Sequence, residues 1–302
     1  MNNNNTDGKN VLGYMADWIT LPRFFFATGM TFFVTSVLFP FYWMITTSFK
    51  APTEIASRRP TYFPNSFSLQ GYRELFDPSH PDFWNFGRSL FNSFRVAVPT
   101  ALLAVAIALL GAYAIARLRF RGKDLFLHGV LLVYMFPTVM LMIPLFAMLS
   151  NIGRVLGFGI QDNLFILIVT YLAQTLPVAL YMLTNYFKSI PSEIEQAGLV
   201  DGCSRLGVIW RITIPLSIPA LISVAIYTFM IAWNEFLYAF VFLNNTEAFT
   251  VPIMINAIQE DPSPRPHVIM AASTITSIPV MVLFLSLQKF LKRGLTAGSV
   301  KQ

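Results

Sequence analysis

The sequence predicts an all-α integral membrane protein with six transmembrane helices and both termini cytoplasmic. Three observations carry that reading: the chain is 55% hydrophobic with only 12% charged residues, six long stretches run without charge, and basic residues collect in alternate connections. Charge is about half the ~25% of a soluble domain. Twenty-nine phenylalanines exclude a disordered chain, which is poor in aromatics. One cysteine, Cys203, excludes an intramolecular disulfide framework and a thiolate metal cluster, and reads as a small packing residue. His80, His128 and His267 are too dispersed for a metal ligand set. The formal charge of +6 needs no nucleic acid partner, because basic residues at the cytoplasmic ends of membrane helices account for it.

Residues 1–22 form a cytoplasmic tail. Its asparagine-rich start lacks the basic and short apolar regions of a secretory signal, so no cleavage is expected. Val11, Tyr14, Met15, Trp18 and Ile19 recur at helical spacing and suit a short interfacial helix, although a frayed tail fits the same residues. Residues 23–302 form the transmembrane domain. Its uncharged stretches are Phe24 to Phe49 (26 residues), Val96 to Ala116 (21), Leu125 to Gly153 (29), Asn163 to Phe187 (25), Ile212 to Thr246 (35, interrupted by Glu235) and Pro266 to Gln288 (23). Crossing ~30 Å of hydrocarbon takes ~20 residues at about 1.5 Å each. Spans are therefore expected at about 24–48, 96–116, 127–150, 164–186, 219–242 and 268–288. The fifth stretch is too long for one straight crossing, so residues 212–218 are assigned to its approach, with Pro215 and Pro219 supporting a bend. The aromatic-rich connection over 51–94 reads as a folded extracytoplasmic cap.

The distribution of lysine and arginine orients the chain. Arg117, Arg119, Arg121 and Lys123 follow span two; Lys188, Arg205 and Arg211 follow span four; Lys289, Lys292, Arg293 and Lys301 follow span six. The short opposite loops hold only Arg154 and Arg265. Positive charge collects in short cytoplasmic loops, and the long connection after span one is exempt from that count.

One cytoplasmic segment, Ile190 to Gly202, has the features of a short knob. Pro191 can open a helix, Glu193 and Glu195 favour the positive end of its dipole, and Gly202 can end it in a left-handed conformation. Ile194, Ala197 and Leu199 give it a partly apolar face, and Ala197 and Gly198 permit close approach. A plain interfacial connector fits the same physical features. The segment resembles the EAA loop of ABC importer permeases, in which EAA is followed by three residues, Gly, nine residues and I-x-L-P. Aligned on Gly202, the family glutamate falls on Gln196, with Glu195 beside it, and the two alanines fall on Ala197 and Gly198. The common Asp falls on Asp201, and the last motif on Ile212, Thr213, Ile214 and Pro215. Asn92-Ser93, the run Gly111 to Phe120, Trp233-Asn234-Glu235-Phe236-Leu237 and Gly294 to Lys301 are similar to the maltose-G-type, carbohydrate branch of that family.

The resemblance implies a bacterial inner-membrane, multi-pass permease subunit of a binding-protein-dependent sugar importer working by alternating access. It implies as partners a second permease subunit, a dimer of ABC ATPase subunits, an extracytoplasmic solute-binding protein and a carbohydrate, with membrane lipid around the chain. ATP and magnesium would be held by the ATPase subunits; no cofactor is expected in this chain, whose Gly8-Lys9-Asn10 and Gly122-Lys123-Asp124 do not form a P-loop. No catalytic dyad or triad is visible, so the chain is not expected to be an enzyme. The implied ATPase-coupling residues are Glu195, Gln196, Ala197, Gly198, Asp201, Gly202, Ile212, Ile214 and Pro215, with spans four and five carrying the motion. Trp233, Asn234 and Glu235 are candidates for the substrate path or for a helix contact, the structural role being preferred for Glu235. Glu260, Asp261 and Arg265 would form the polar tip of an outward loop. A non-sugar ABC permease and an ion-coupled secondary carrier are the alternatives; the carrier has a single intramembrane acid in its favour.

Overall fold

A computed structural model describes residues 8–57, 59–81, 83–263 and 265–296, with side chains of 8–22, 24, 124, 133, 134 and 287–296 outside the description. Among these residues every regular element is helical. In order they are α1 (Gly8–Ser48), α2 (Pro52–Ile55), α3 (Gln70–Phe76), α4 (Phe86–Arg117), α5 (Lys123–Tyr134), α6 (Thr138–Leu156), α7 (Leu164–Ser189), α8 (Ser192–Val200), α9 (Arg205–Val208), α10 (Ile214–Asn234), α11 (Leu237–Phe242), α12 (Val251–Gln259) and α13 (Pro266–Thr296). Six helical segments are long and apolar enough to cross a membrane: Phe25–Ser48, Phe86–Arg117, Thr138–Leu156, Leu164–Ser189, Arg205–Asn234 and Pro266–Ser286.

Three boundaries differ from the sequence reading. The tail's backbone from Gly8 is continuous with the first crossing, and the candidate interfacial side chains lie outside the described residues. The third crossing, expected at 127–150, falls across a break at Met135 to Pro137, because proline cannot donate the next helical hydrogen bond. The fifth begins earlier and ends earlier than 219–242: helix runs from Arg205 through a π-helical turn, Ile209–Thr213, to Asn234, then breaks at Glu235 and Phe236 before α11. Helix continues through both prolines: Pro215 sits in the first turn of α10, directly after the π-turn, and Pro219 lies inside α10.

The chain forms two compact units. In the first, residues 1–71 and 266–274, the loop after α1 folds back along it: Tyr42 donates its hydroxyl to the Tyr62 carbonyl at 2.9 Å, and Tyr62 stands edge-on to Trp43. Lys50 is buried, with its ammonium 4.3 Å from the Trp43 ring centroid. Phe25, Phe26, Phe32 and Phe33 are all exposed, as on a helix whose solvent is hydrocarbon.

In the second unit, residues 72–265 and 275–302, α4 lies along α7 and α10 packs against both. Ala97, Ala101, Ala104, Ala108 and Ala112 form one buried stripe of α4, and side chains this small let helix backbones approach closely. A core at one end joins Val96, Leu167, Tyr171, Phe229, Trp233 and Phe242; a second, around Leu109, Tyr113, Leu183, Phe187 and Ile209, leads to the α8 end. The loop after α12 turns Arg265 inward, 3.0 Å from buried Glu74, so this arginine is not the free polar tip that the sequence suggested.

Candidate functional site

At the α8 end, local sequence fixes a compact loop. Pro191 precedes the first turn, and Glu193 and Glu195 fall where the helix dipole favours acids. The helix stops when Gly202 adopts φ +88°; its N–H donates to the Leu199 carbonyl, and the Cys203 N–H to the Gly198 carbonyl. The Ser204 hydroxyl caps α9 by accepting from the Gly207 N–H at 3.1 Å. The π-helical turn then delivers Thr213, fully buried, to face α8.

Glu195 is the buried polar centre of this loop, only 4% exposed. Its Oε2 lies 3.1 Å from Arg117 Nε, and its Oε1 accepts from the Thr213 hydroxyl at 3.2 Å. Arg117 also donates from Nη2 to the Ile190 carbonyl at 2.9 Å, and the Tyr113 phenol, one turn earlier on α4, is a further partner of the carboxylate. Gln196, aligned with the family's acid, is instead exposed, and its amide reaches only Ser192 at 3.5 Å. Gly198 is buried, and a Cβ there would stand 2.4 Å from the Ile212 terminal methyl, so an alanine at this position would require the Ile212 side chain to shift. Ala197, Asp201, Gly202 and Pro215 are exposed, and Ile212 and Ile214 half-buried. On the outer surface of the loop, Ile194, Leu199, Val200, Leu206 and Trp210 are exposed, Val200 at 87%, among the exposed polar and charged residues Glu193, Gln196, Asp201, Arg205 and Arg211.

Sequence reasoning missed Arg117 and Thr213. The available signal was an arginine closing an uncharged helix with Tyr113 four residues before it, on the same face.

The other candidate residues do not form one site. Trp233 is a core residue, 1% exposed, stacked on Phe229 with centroids 5.5 Å apart, and its Nε1–H donates to the Thr276 carbonyl. Glu235 accepts from the Tyr238 N–H at 2.9 Å and the Ala239 N–H at 3.2 Å, using both carboxylate oxygens to satisfy the first turn of α11. Asn234 is exposed and donates to the Met230 carbonyl at 2.8 Å. Asn234 and Glu235 line a cavity of about 400 Å³ with Thr138, Gln174 and Phe236; Thr138 and Gln174 also line a neighbouring cavity of about 510 Å³ with Phe136 and Pro137. Both helix breaks thus open on this space, as expected for irregular backbone at membrane depth. Gln174 Oε1 is buried there without a hydrogen-bond partner among the described residues.

Residues 104–297 match the family described as binding-protein-dependent transport system inner membrane component. The chain belongs to this family. The inner membrane ABC transporter permease protein YcjP of Escherichia coli is 42% identical over 282 residues, spanning 93% of this chain and 98% of that protein. The trehalose/maltose transport system permease protein MalG of Thermococcus litoralis is 36% identical over 93% of this chain and 98% of its own length. The sulfoquinovosyl glycerol transport system permease protein SmoH of Agrobacterium fabrum is 35% identical, with 93% and 96% covered. A chain from the crystal structure of a bacterial ABC transporter involved in the import of the acidic polysaccharide alginate has the same fold, with a TM-score of 0.74 and 21% identity, covering 95% of this chain and 99% of that one. The protein is therefore a multi-pass inner-membrane permease component, and its EAA-type loop is the one built by α8 and the π-turn.

Proposed function

We propose that this chain is one of two permease subunits of an ATP-driven sugar importer, and that α8 is its coupling helix. The observation that supports this best is the α8 loop, held from within by Glu195 while Ile194, Leu199, Val200, Leu206 and Trp210 lie exposed on it. An exposed apolar patch on a rigid loop is suited to a protein groove and disfavoured in water. In this reading both termini and α8 face the cytoplasm, where the basic connections lie. A dimer of ATPase subunits binds and hydrolyses ATP with magnesium, its closure displaces α8, and α7 and α10 convey the motion inward. A solute-binding protein delivers the carbohydrate from the other face. Carbohydrate is favoured over other solutes because the trehalose/maltose permease is similar across nearly the whole chain.

The cavity lined by Thr138, Gln174, Asn234 and Phe236 is this chain's part of the solute path, lined by a hydroxyl residue, two amide residues and an aromatic ring that suit a polyhydroxylated ligand. Glu235 supports that wall, and Trp233 packs behind it.

The test is affinity purification of the tagged chain in mild detergent, identification of what co-purifies, and uptake of maltose and trehalose by the reconstituted complex. Recovery of a P-loop ATPase and a second multi-span chain, both lost when Ala197 and Val200 are changed to aspartate, is the expected result. A chain that purifies alone and takes up solute on an ion gradient overturns the proposal.

A further inference from the structure

We infer that the buried pair between Arg117 and Glu195 ties α8 to the end of α4, so that the coupling motion is imposed on span two as well as on α7 and α10. This deepens the coupling proposal and rests on it. Chain connectivity alone attaches α8 to α7 before it and to α9, the π-turn and α10 after it. The only ion pair linking α8 to another element among the described residues is the one to Arg117, 78 residues away in sequence.

The geometry makes this link stiff. Arg117 is 12% exposed and Glu195 6% exposed in their side chains. The guanidinium is shared between the Glu195 carboxylate and the Ile190 carbonyl, at the junction of α7 and α8. Thr213 holds the carboxylate's other oxygen, so one side chain of α8 is gripped by α4 and by the π-turn leading into α10. A planar guanidinium with several donors in a fixed fork restricts orientation as well as distance. Separating such buried charges leaves each uncompensated, so α8 and the end of α4 are expected to move together.

Arg117 is therefore a positioning residue, while the surface offered to the ATPase lies on the opposite, exposed side of α8. Weakening the pair should leave docking intact and spoil the transfer of motion. The test uses the assembled transporter in proteoliposomes, comparing Arg117→Lys, Glu195→Gln and the exchanged pair Arg117→Glu with Glu195→Arg. Three quantities are read: ATPase subunits recovered per permease, ATP hydrolysed, and maltose or trehalose delivered per ATP.

The expected result is that Arg117→Lys keeps ATPase recovery and hydrolysis within about twofold, and that Arg117→Lys and Glu195→Gln each lose about tenfold or more in sugar delivered per ATP. The exchanged pair should regain most of that ratio relative to Arg117→Lys and Glu195→Gln. An unchanged delivery ratio in Glu195→Gln and Arg117→Lys overturns the inference. So does loss of assembly in the singles without recovery in the exchanged pair, which would make the contact one of folding only. If the unaltered complex contains no ATPase subunit, the proposed function fails first, and the inference falls with it.

Discussion

Glu235 illustrates how a single buried acid is accounted for locally. Its carboxylate satisfies two backbone N–H groups of α11, a role that requires acceptors and no proton exchange. Glu235→Gln keeps one acceptor and is expected to cost about 1 kcal/mol, with most transport retained; Glu235→Ala leaves buried donors unpaired and should cost about 2–3 kcal/mol. Thermal unfolding in detergent alongside uptake measures both, and complete loss of transport in a folded Glu235→Gln protein would point to ion coupling instead. Trp233 was legible as a motif residue but not as core. Its burial rests on Phe94 of α4, far away in sequence, as well as on Phe229 one turn earlier on its own helix, so Trp233→Ala should destabilise by about 3 kcal/mol through lost packing. Gly202 has a positive φ, and a valine there would add about 1–2 kcal/mol of backbone strain although no neighbour stands within 4 Å of its Cβ. Gly202→Val is expected to lower uptake while leaving the chain inserted in the membrane; normal uptake would remove this residue from the coupling assignment.

At the scale of elements, the α8 loop was readable because its signals are local: proline before, acids in the first turn, glycine after. Which acid does the buried work was not readable. Glu195 and Gln196 are neighbours, and a 100° turn of the helix decides which faces Arg117. The loop after α1 supplies a second element-scale test. Glu54 accepts from the Thr61 hydroxyl and the Asn65 N–H, and chiefly the Thr61 hydroxyl, helped by that N–H and the charge of Lys50, holds its carboxyl below its ordinary value of 4.5. A depressed value means the loop contacts are complete above the ordinary carboxylate range and are lost as pH falls through the lowered one. Protection of the Asn65 amide, its exchange rate relative to the intrinsic rate at the same pH, should therefore be retained at neutral pH, fall only in acid, and be reduced at all pH values in Glu54→Gln. Protection independent of both pH and that substitution would show that the carboxylate does not hold the loop.

For the whole molecule, the decisive question is what lines the transport path. Gln174 falls within an uncharged stretch and looked like any polar residue tolerated in a span. Only the breaks at Met135 to Pro137 and at Glu235 to Phe236, opening on cavities it shares, give it a place. Gln174→Ala combined with Asn234→Ala is expected to raise the half-saturating concentration for transported sugar by about tenfold, with ATPase recovery unchanged; an unchanged value would put substrate contacts on the partner permease. Exposed apolar faces, such as Phe25 to Phe33 on α1 and Met140 and Ile143 on α6, need lipid or a partner chain to cover them.

By itself the sequence determined the solvent, the number of crossings, the family and the existence of the α8 loop. Each depends on composition or on residues close together in the chain, where length, charge spacing and turn chemistry suffice. Tertiary structure alone decided that Arg117 meets Glu195, that Trp233 is core, that Glu235 serves α11 and that Gln174 faces a cavity. Those outcomes depend on which helix faces meet, and in an apolar helix the faces differ by side-chain size more than by polarity. No periodicity of hydrophobic residues marks them, because the lipid-facing and core-facing sides are both greasy.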